Sequence, residues 1–285
     1  MRVLVTGANG QLGHDMLLCL SRHNIDCLGV DKGDFDLTEL EVTAQFIKEY
    51  KPDVLIHCAA FTNVDLAESE IEKCYALNVD ATANIALQCK LVGSKLVYVS
   101  TDYIFSGEAE KPYETGDWAE PVSVYGKTKL LGEKSIQENM DKYFIVRTSW
   151  SFGVNGNNFV NTMLRLGSEK EAVDVVCDQV GSPTYTKDLA EGIVKMIRTS
   201  NYGIYHVTND GFCSWADFAV EIFRQSGLKT KVNFITSDKF PSLAKRPKNS
   251  MLSKKSLCEG GFQLLPEWKD ALKRYLTEVE FRRSE

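Results

Sequence analysis

The apolar positions divide the first half of the chain into short β-branched runs separated by longer stretches of helical period. Arg2 to Thr6 carries Val3, Leu4 and Val5 in succession and predicts a strand, and Gln11 to Arg22 sets Leu12, Met16 and Leu20 on one face of a helix. The alternation continues with a strand over Cys27 to Val30, a helix over Leu37 to Tyr50 and a strand over Asp53 to His57. A long helix over Glu70 to Val92, a strand over Lys95 to Ser100, a helix over Val122 to Asn139 and a strand over Tyr143 to Arg147 complete it. Strands that are apolar almost throughout, rather than at alternate positions, belong to a parallel sheet covered on both faces. Right-handed crossovers then give a doubly wound α/β sheet of the Rossmann kind, whose ligands lie beyond the carboxyl ends of the strands.

Beyond residue 150 the pattern loosens. It predicts a helix from Asn157 to Leu166, a strand over Val173 to Cys177, a turn at Gly181-Ser182-Pro183 and a helix over Thr186 to Thr199. Ile204 to Val207, a helix over Ser214 to Ser226 capped by Ser214, a strand over Val232 to Thr236 and a terminal helix from Pro266 read as a smaller lobe. The expected division is a dinucleotide-binding domain over 1–150, to which 171–200 returns, and an interleaved α/β substrate-binding lobe occupying most of 151–285.

Composition narrows the choice of function. The chain has 285 residues, and its net charge of -6 speaks against a general nucleic-acid binder, which needs a basic face. No apolar run reaches the length of a membrane span, and the N-terminal residues lack the features of a signal peptide, so a cytoplasmic protein is expected. The eight cysteines form no C-x-x-C pair and sit among apolar neighbours, as reduced core residues do, and no metal site is expected from them.

The segment Thr6-Gly7-Ala8-Asn9-Gly10-Gln11-Leu12-Gly13 links the first strand to the first helix. Gly7, Gly10 and Gly13 allow a tight turn, close approach to a pyrophosphate and close helix–strand packing, with free N–H groups of the helix start facing the phosphates. The spacing is one residue longer than the usual G-x-G-x-x-G fingerprint. Asp31, just after the second strand, is placed to accept from ribose hydroxyls and favours NADH, whereas Lys32 and Lys51 would tolerate the extra phosphate of NADPH. Both cofactors stay open.

Tyr125 and Lys129 lie four residues apart, on one face of the helix over Val122 to Asn139. Reduction of a ketone needs a hydride at carbon and a proton at oxygen. An isolated tyrosine is a reluctant acid, and a neighbouring cation lowers its pKa. Thr101, at the end of the fourth strand, adds a hydroxyl that could donate to the carbonyl. Each residue alone has an ordinary explanation; the chain order of glycine loop, strand-end hydroxyl and Tyr–Lys pair is what points to nicotinamide-dependent reduction.

These motifs, with His57 to Asp65, Ser100 to Phe105, Arg147 to Trp150, Gly156 to Phe159, Asp178 to Thr184 and Arg246 to Ser250, resemble the extended short-chain dehydrogenase/reductase family along nearly the whole chain. Within it, the similarity is to reductases acting on the 4-keto group of a dTDP-linked sugar. The resemblance implies pyrophosphate contacts at Gly10, Gln11 and Leu12, adenosine-side contacts at Asp31, Asp36 and Leu37, and a cofactor groove lined by Ala59, Ala60 and Thr62. It implies a catalytic trio of Thr101, Tyr125 and Lys129, and sugar-nucleotide contacts at Asp102, Tyr103, Trp150 and Arg246. Some members of the family dimerise through magnesium bound by acidic side chains. The corresponding positions here are Asp15 and Lys187, and a lysine cannot ligate a hard cation. A monomer or metal-independent dimer, active without magnesium, is therefore expected. Two alternatives share the fold: a sugar-nucleotide epimerase or dehydratase, and a non-catalytic NAD(P)-binding regulatory subunit like the β subunit of methionine adenosyltransferase.

Overall fold

The computed structural model describes the backbone of residues 1–284 and the side chains of residues 1–280. The first half contains β1 (Arg2–Thr6), α1 (Gln11–Arg22), β2 (Asp26–Val30), α2 (Leu40–Tyr50), β3 (Val54–His57), α3 (Val64–Ala67), α4 (Ile71–Tyr75), α5 (Thr82–Val92), β4 (Lys95–Thr101), α6 (Val124–Asn139) and β5 (Tyr143–Thr148). Then follow β6 (Ser151–Phe152), α7 (Phe159–Glu169), β7 (Ala172–Val176), β8 (Val180–Gly181), β9 (Thr184–Tyr185), α8 (Thr186–Ile197) and β10 (Gly203–His206). The chain closes with β11 (Cys213–Ser214), α9 (Trp215–Gln225), β12 (Lys231–Ile235), β13 (Asn249–Ser250), α10 (Lys255–Glu259) and α11 (Trp268–Ser284).

Six parallel strands form the main sheet in the order β10-β5-β4-β3-β1-β2. The chain starts at β1, steps outward to β2 and then crosses to β3 on the other side. The order reverses between β1 and β3, and a crevice opens there at the carboxyl ends of the strands. The expected doubly wound sheet is present, with one change of membership. The Ile204–Val207 segment, read as part of the smaller lobe, is the edge strand β10 paired with β5.

The sheet is buried on both faces, as its continuous apolar strands require. Val3, Val5, Ile56, Val97 and Phe144 pack under α1 and α8, meeting Met16, Leu189 and Ile193. Leu4, Leu55, Leu96, Tyr98 and Ile145 point to the opposite face, under α2, α5 and α6, against Ile47, Ile85 and Ile136. Each such aliphatic side chain contributes about 1.5–3 kcal/mol by leaving water. A second core, with Phe152, Val160, Phe218, Trp268 and Tyr275, holds together α7, α9, α11 and the small sheets β7–β12 and β6–β9. Ser214 caps α9 in a reciprocal capping box with Asp217, as its position predicts.

The predicted helix over Glu70 to Val92 is not one helix. Between α4 and α5 a wide π turn spans Ala76–Ala81. Within it the Asn78 side chain accepts from Phe61 N at 2.8 Å and donates to Phe61 O at 3.2 Å and to Thr128 Oγ1 at 3.1 Å. One amide thus ties the loop after β3 to α6, and local widening of a helix at such a point is typical of functional regions. Among the described residues no helix is long and apolar enough to cross a membrane, and none of the eight cysteines is in a disulfide.

Candidate active site

The glycine loop leaves β1 and enters α1 as a compact turn, with Gly10 N donating to Gly7 O at 3.0 Å. A side chain at Gly13 would overlap the Gly7 carbonyl, so the loop can fold back on the helix start only with glycine there. Asp31, at the end of β2, holds the loop from the other side. One carboxylate oxygen accepts from Asn9 N and the other from Lys32 N, each at 2.7 Å.

The crevice is a cavity of about 1190 Å³. Gly7, Gly10, Gln11, Leu12, Gly13, Asp31, Asp36, Leu37, Ala59, Ala60 and Thr62 line one part of it. Thr101, Asp102, Tyr103, Tyr125, Lys129 and Trp150 line the other. Lys32 also faces the cavity, whereas Lys51 ends α2 in the left-handed conformation and is not among the lining residues.

Arg246 does not itself line the cavity but reaches Tyr103, which does. Its guanidinium is forked onto Asp65, with Nη2 to Oδ2 at 2.7 Å and Nη1 to Oδ1 at 3.3 Å. Hydrogen bonding from Arg246 lowers the Asp65 carboxyl to about 2, against its desolvation. The pair pins the segment before β13 to α3.

Helix α6 carries the Tyr–Lys pair. Ser123 caps it by accepting from Gly126 N at 3.1 Å. A side chain at Gly126 would overlap the Tyr103 carbonyl, so α6 meets the turn after β4 closely enough to bring Tyr125 against Thr101 and Tyr103. The Tyr103 and Tyr125 rings meet edge to face at 5.6 Å. Tyr125 is hydrogen-bonded to Thr101, which opposes the larger effect of burial; the net result is a phenol held above its ordinary pKa. Lys129 faces the same cavity as Tyr125, one turn further along α6. The ammonium lies 3.9 Å from the Tyr98 ring centre. Burial pushes Lys129 down to about 7, against the attraction of Glu133.

Glu133 was not singled out by motif, although it continues the four-residue spacing of Tyr125 and Lys129. It is 1% exposed and accepts from Ser100 Oγ in β4 at 2.5 Å. It also takes a two-pronged bond from Arg147 in β5, with Nε to Oε1 at 3.0 Å and Nη2 to Oε2 at 2.7 Å. One carboxylate therefore clamps the helix bearing Tyr125 and Lys129 to the strand bearing Thr101. Trp150 follows β5 with φ of +49° and stacks on Trp215, ring centres 3.7 Å apart. Trp215, another residue that motif reading missed, thereby fixes the indole facing the cavity.

A doubly wound sheet with a glycine loop, a strand-end hydroxyl and a Tyr–Lys helix facing one crevice defines a nucleotide-binding protein of the short-chain dehydrogenase/reductase type. More narrowly, the chain belongs to the family described as the RmlD substrate binding domain, whose model matches residues 1–281. It is 40% identical over 277 residues to the "Spore coat polysaccharide biosynthesis protein SpsK" of Bacillus subtilis, covering 97% of each chain. A dTDP-4-dehydrorhamnose reductase from Clostridium acetobutylicum superposes with a TM-score of 0.96 at 44% identity, covering 98% of this chain and 100% of that one. The dTDP-4-dehydrorhamnose reductase of Bacillus anthracis, solved in complex with NADP, gives 0.95 at 44% identity, covering 97% and 99%. By this membership the protein is a nicotinamide-dependent oxidoreductase.

Proposed function

We propose that the protein reduces the C4 keto group of dTDP-4-dehydro-L-rhamnose to give dTDP-L-rhamnose, with NADPH or NADH as reductant. The observation that carries this reading is the convergence of Thr101, Tyr125 and Lys129 on the same cavity as the glycine loop. The named activity of the two 44% identical reductases supports it. The absence of disulfides agrees with action in the cytosol. The name of the Bacillus subtilis relative suggests that the product supplies a cell-surface polysaccharide.

The residues present suit the cofactor. The turn at Gly7 to Gly13 leaves the start of α1 open to a pyrophosphate, Asp31 retains acceptor capacity for a ribose, and Lys32 stands beside it for a 2′-phosphate. When bound, a reduced nicotinamide would supply the hydride. Tyr125, protonated across the working range because burial disfavours the phenolate, gives the proton to the carbonyl oxygen. Lys129 binds the nicotinamide ribose and, with that sugar in place, stabilises the developing charge on Tyr125. Thr101 polarises the carbonyl, while Asp102, Tyr103 and Trp150 contact the sugar; Arg246 would reach the diphosphate end by leaving its pair with Asp65.

The test supplies dTDP-4-dehydro-L-rhamnose with NADPH or NADH and follows absorbance and product together. Stoichiometric cofactor oxidation with formation of dTDP-L-rhamnose is expected. An epimerase or dehydratase would leave the cofactor unconsumed overall, and a regulatory subunit would show no turnover. Tyr125→Phe should lower kcat by about 10²–10⁴ while cofactor affinity is retained. Near-normal turnover in that variant would sink the proposed acid.

A further inference from the structure

The reductase reading requires the Thr101 hydroxyl to donate to the substrate carbonyl, yet the structure directs that proton elsewhere. Thr101 Oγ1 donates to Asp102 Oδ1 at 3.0 Å and accepts from Tyr103 N at 3.2 Å. A hydroxyl has a single proton, and an ionised carboxylate can only accept. While Asp102 is ionised, Thr101 is therefore an acceptor towards everything else around it, Tyr125 included.

Asp102 is built as a group whose charge is costly. It is 2% exposed, and its second oxygen, Oδ2, is buried with no hydrogen-bond partner among the described residues. It lines the cavity beside Tyr125 and Lys129. A buried carboxylate with an unmet acceptor is unstable relative to the neutral acid. The neutral acid can instead donate to Thr101.

We propose that Asp102 sets the direction of the hydrogen-bond chain Tyr125–Thr101–Asp102. As the neutral acid it donates to Thr101 and frees the Thr101 proton for the substrate carbonyl, and as the carboxylate it holds that proton back. This rests on the reductase reading and gives Asp102 a positioning role beyond contact with the sugar. No bond to carbon is made or broken by Asp102; it changes which donor the carbonyl meets.

The surroundings raise the share of the neutral acid, which predominates below about pH 6. Desolvation pushes Asp102 up to about 6, against the polar influence of the Ser250 hydroxyl in β13, the hydrogen bond from Thr101 and the backbone of its own turn. The titratable groups facing it are Tyr103 on the same turn and Tyr125 from α6, both neutral phenols, with Arg246 reaching Tyr103 from the segment before β13. A bound sugar would remove more water from the site and shift Asp102 further towards the neutral acid.

The test is kcat against pH for wild type, Asp102→Asn and Thr101→Val. The Asn amide can donate to Thr101 at every pH and imitates the neutral acid, whereas Val removes the Thr101 donor in all conditions. Wild-type kcat should fall with rising pH towards the Thr101→Val level. The full loss should be up to about 10²–10³, the cost of removing one donor to a developing oxyanion. Asp102→Asn should keep its acid-side rate across the same range. The comparison uses the ratio of the two enzymes at each pH, so any titration of Lys129 common to both cancels. In Thr101→Val, adding Asp102→Asn should change nothing further.

A constant ratio of wild type to Asp102→Asn across pH overturns the proposal. So does an Asp102→Asn variant that only raises KM, which would mark a plain sugar contact. The reductase reading itself fails separately, if no enzyme form oxidises the reduced nicotinamide with the sugar nucleotide present.

Discussion

Lys129 and Gly13 show how much a single position carries. A lysine with its ammonium against the Tyr98 ring and 2% exposure is held near pH 7 rather than at its ordinary value. Its folded pKa lies below the unfolded one, so between about pH 7 and 10.5 the unfolded chain binds the additional proton. Stability from this group therefore rises with pH through that window, by on the order of 1.4 kcal/mol per unit at most, and its charge is a cost below it. Lys129→Met should remove that rise. Urea unfolding at pH 7 and pH 9.5 should show the variant gaining relative to wild type at the lower pH, and an unchanged difference between the two would refute the assignment. Gly13 is a packing constraint instead. Gly13→Ala places a methyl group on the Gly7 carbonyl and must open the loop. Cofactor affinity, read by fluorescence titration, should fall at least tenfold, roughly the 1.4 kcal/mol that separates decades. Unaltered affinity would show that the loop is not the pyrophosphate cradle.

At the scale of elements, the sequence was most legible where the period was long and the strands wholly apolar. The strands β1 to β5 and the helices α1 and α6 fall where the pattern places them, and the motif residues follow from those ends. What escaped was set by distant partners. The π turn at Ala76–Ala81 exists because Asn78 turns towards Phe61 and Thr128, and hydrophobic periodicity carries no sign of such an amide. The strand β10 has an ordinary local pattern, but its partner β5 lies more than fifty residues earlier, so pairing could not be read locally. Glu133 was legible in principle, through its spacing from Lys129, but a glutamate on a helix is usually solvated. Its role appears only when Arg147 and Ser100 are brought to it. Arg147→Met leaves the Glu133 carboxylate buried without its cation, a loss of about 3–5 kcal/mol. A fall in the urea midpoint with the slope unchanged is expected. An unaffected midpoint would mean that α6 is held to β4 and β5 by apolar packing alone.

At the scale of the whole molecule, polar contacts staple together segments far apart in sequence. Asp65 and Arg246 form one such staple, and Asp15 in α1 forms another by accepting from Thr186 Oγ1 at 2.5 Å. Burial is the largest influence on Asp15 and raises its pKa. Next to Thr186, Lys187 pairs with Glu278 at 2.5 Å, and Tyr185 donates to the same Glu278 oxygen at 2.6 Å. The acidic groups of this corner thus meet a positive charge from the chain itself. A magnesium ion here would have to displace or sit beside an ammonium, and it would compete with Thr186 for Asp15, while its preference is for several oxygen ligands in octahedral array. Like charges a few ångströms apart in a partly buried site repel by several kcal/mol on the order of Coulomb's law at intermediate dielectric. We therefore expect turnover to be unchanged after exhaustive chelation, and the native mass, measured by light scattering, to be the same with and without added magnesium. Lys187→Glu should convert the corner into a set of three carboxylates, and only then should added magnesium raise the melting temperature. Loss of wild-type activity in a chelator, restored by magnesium, would show that the ion is held despite Lys187.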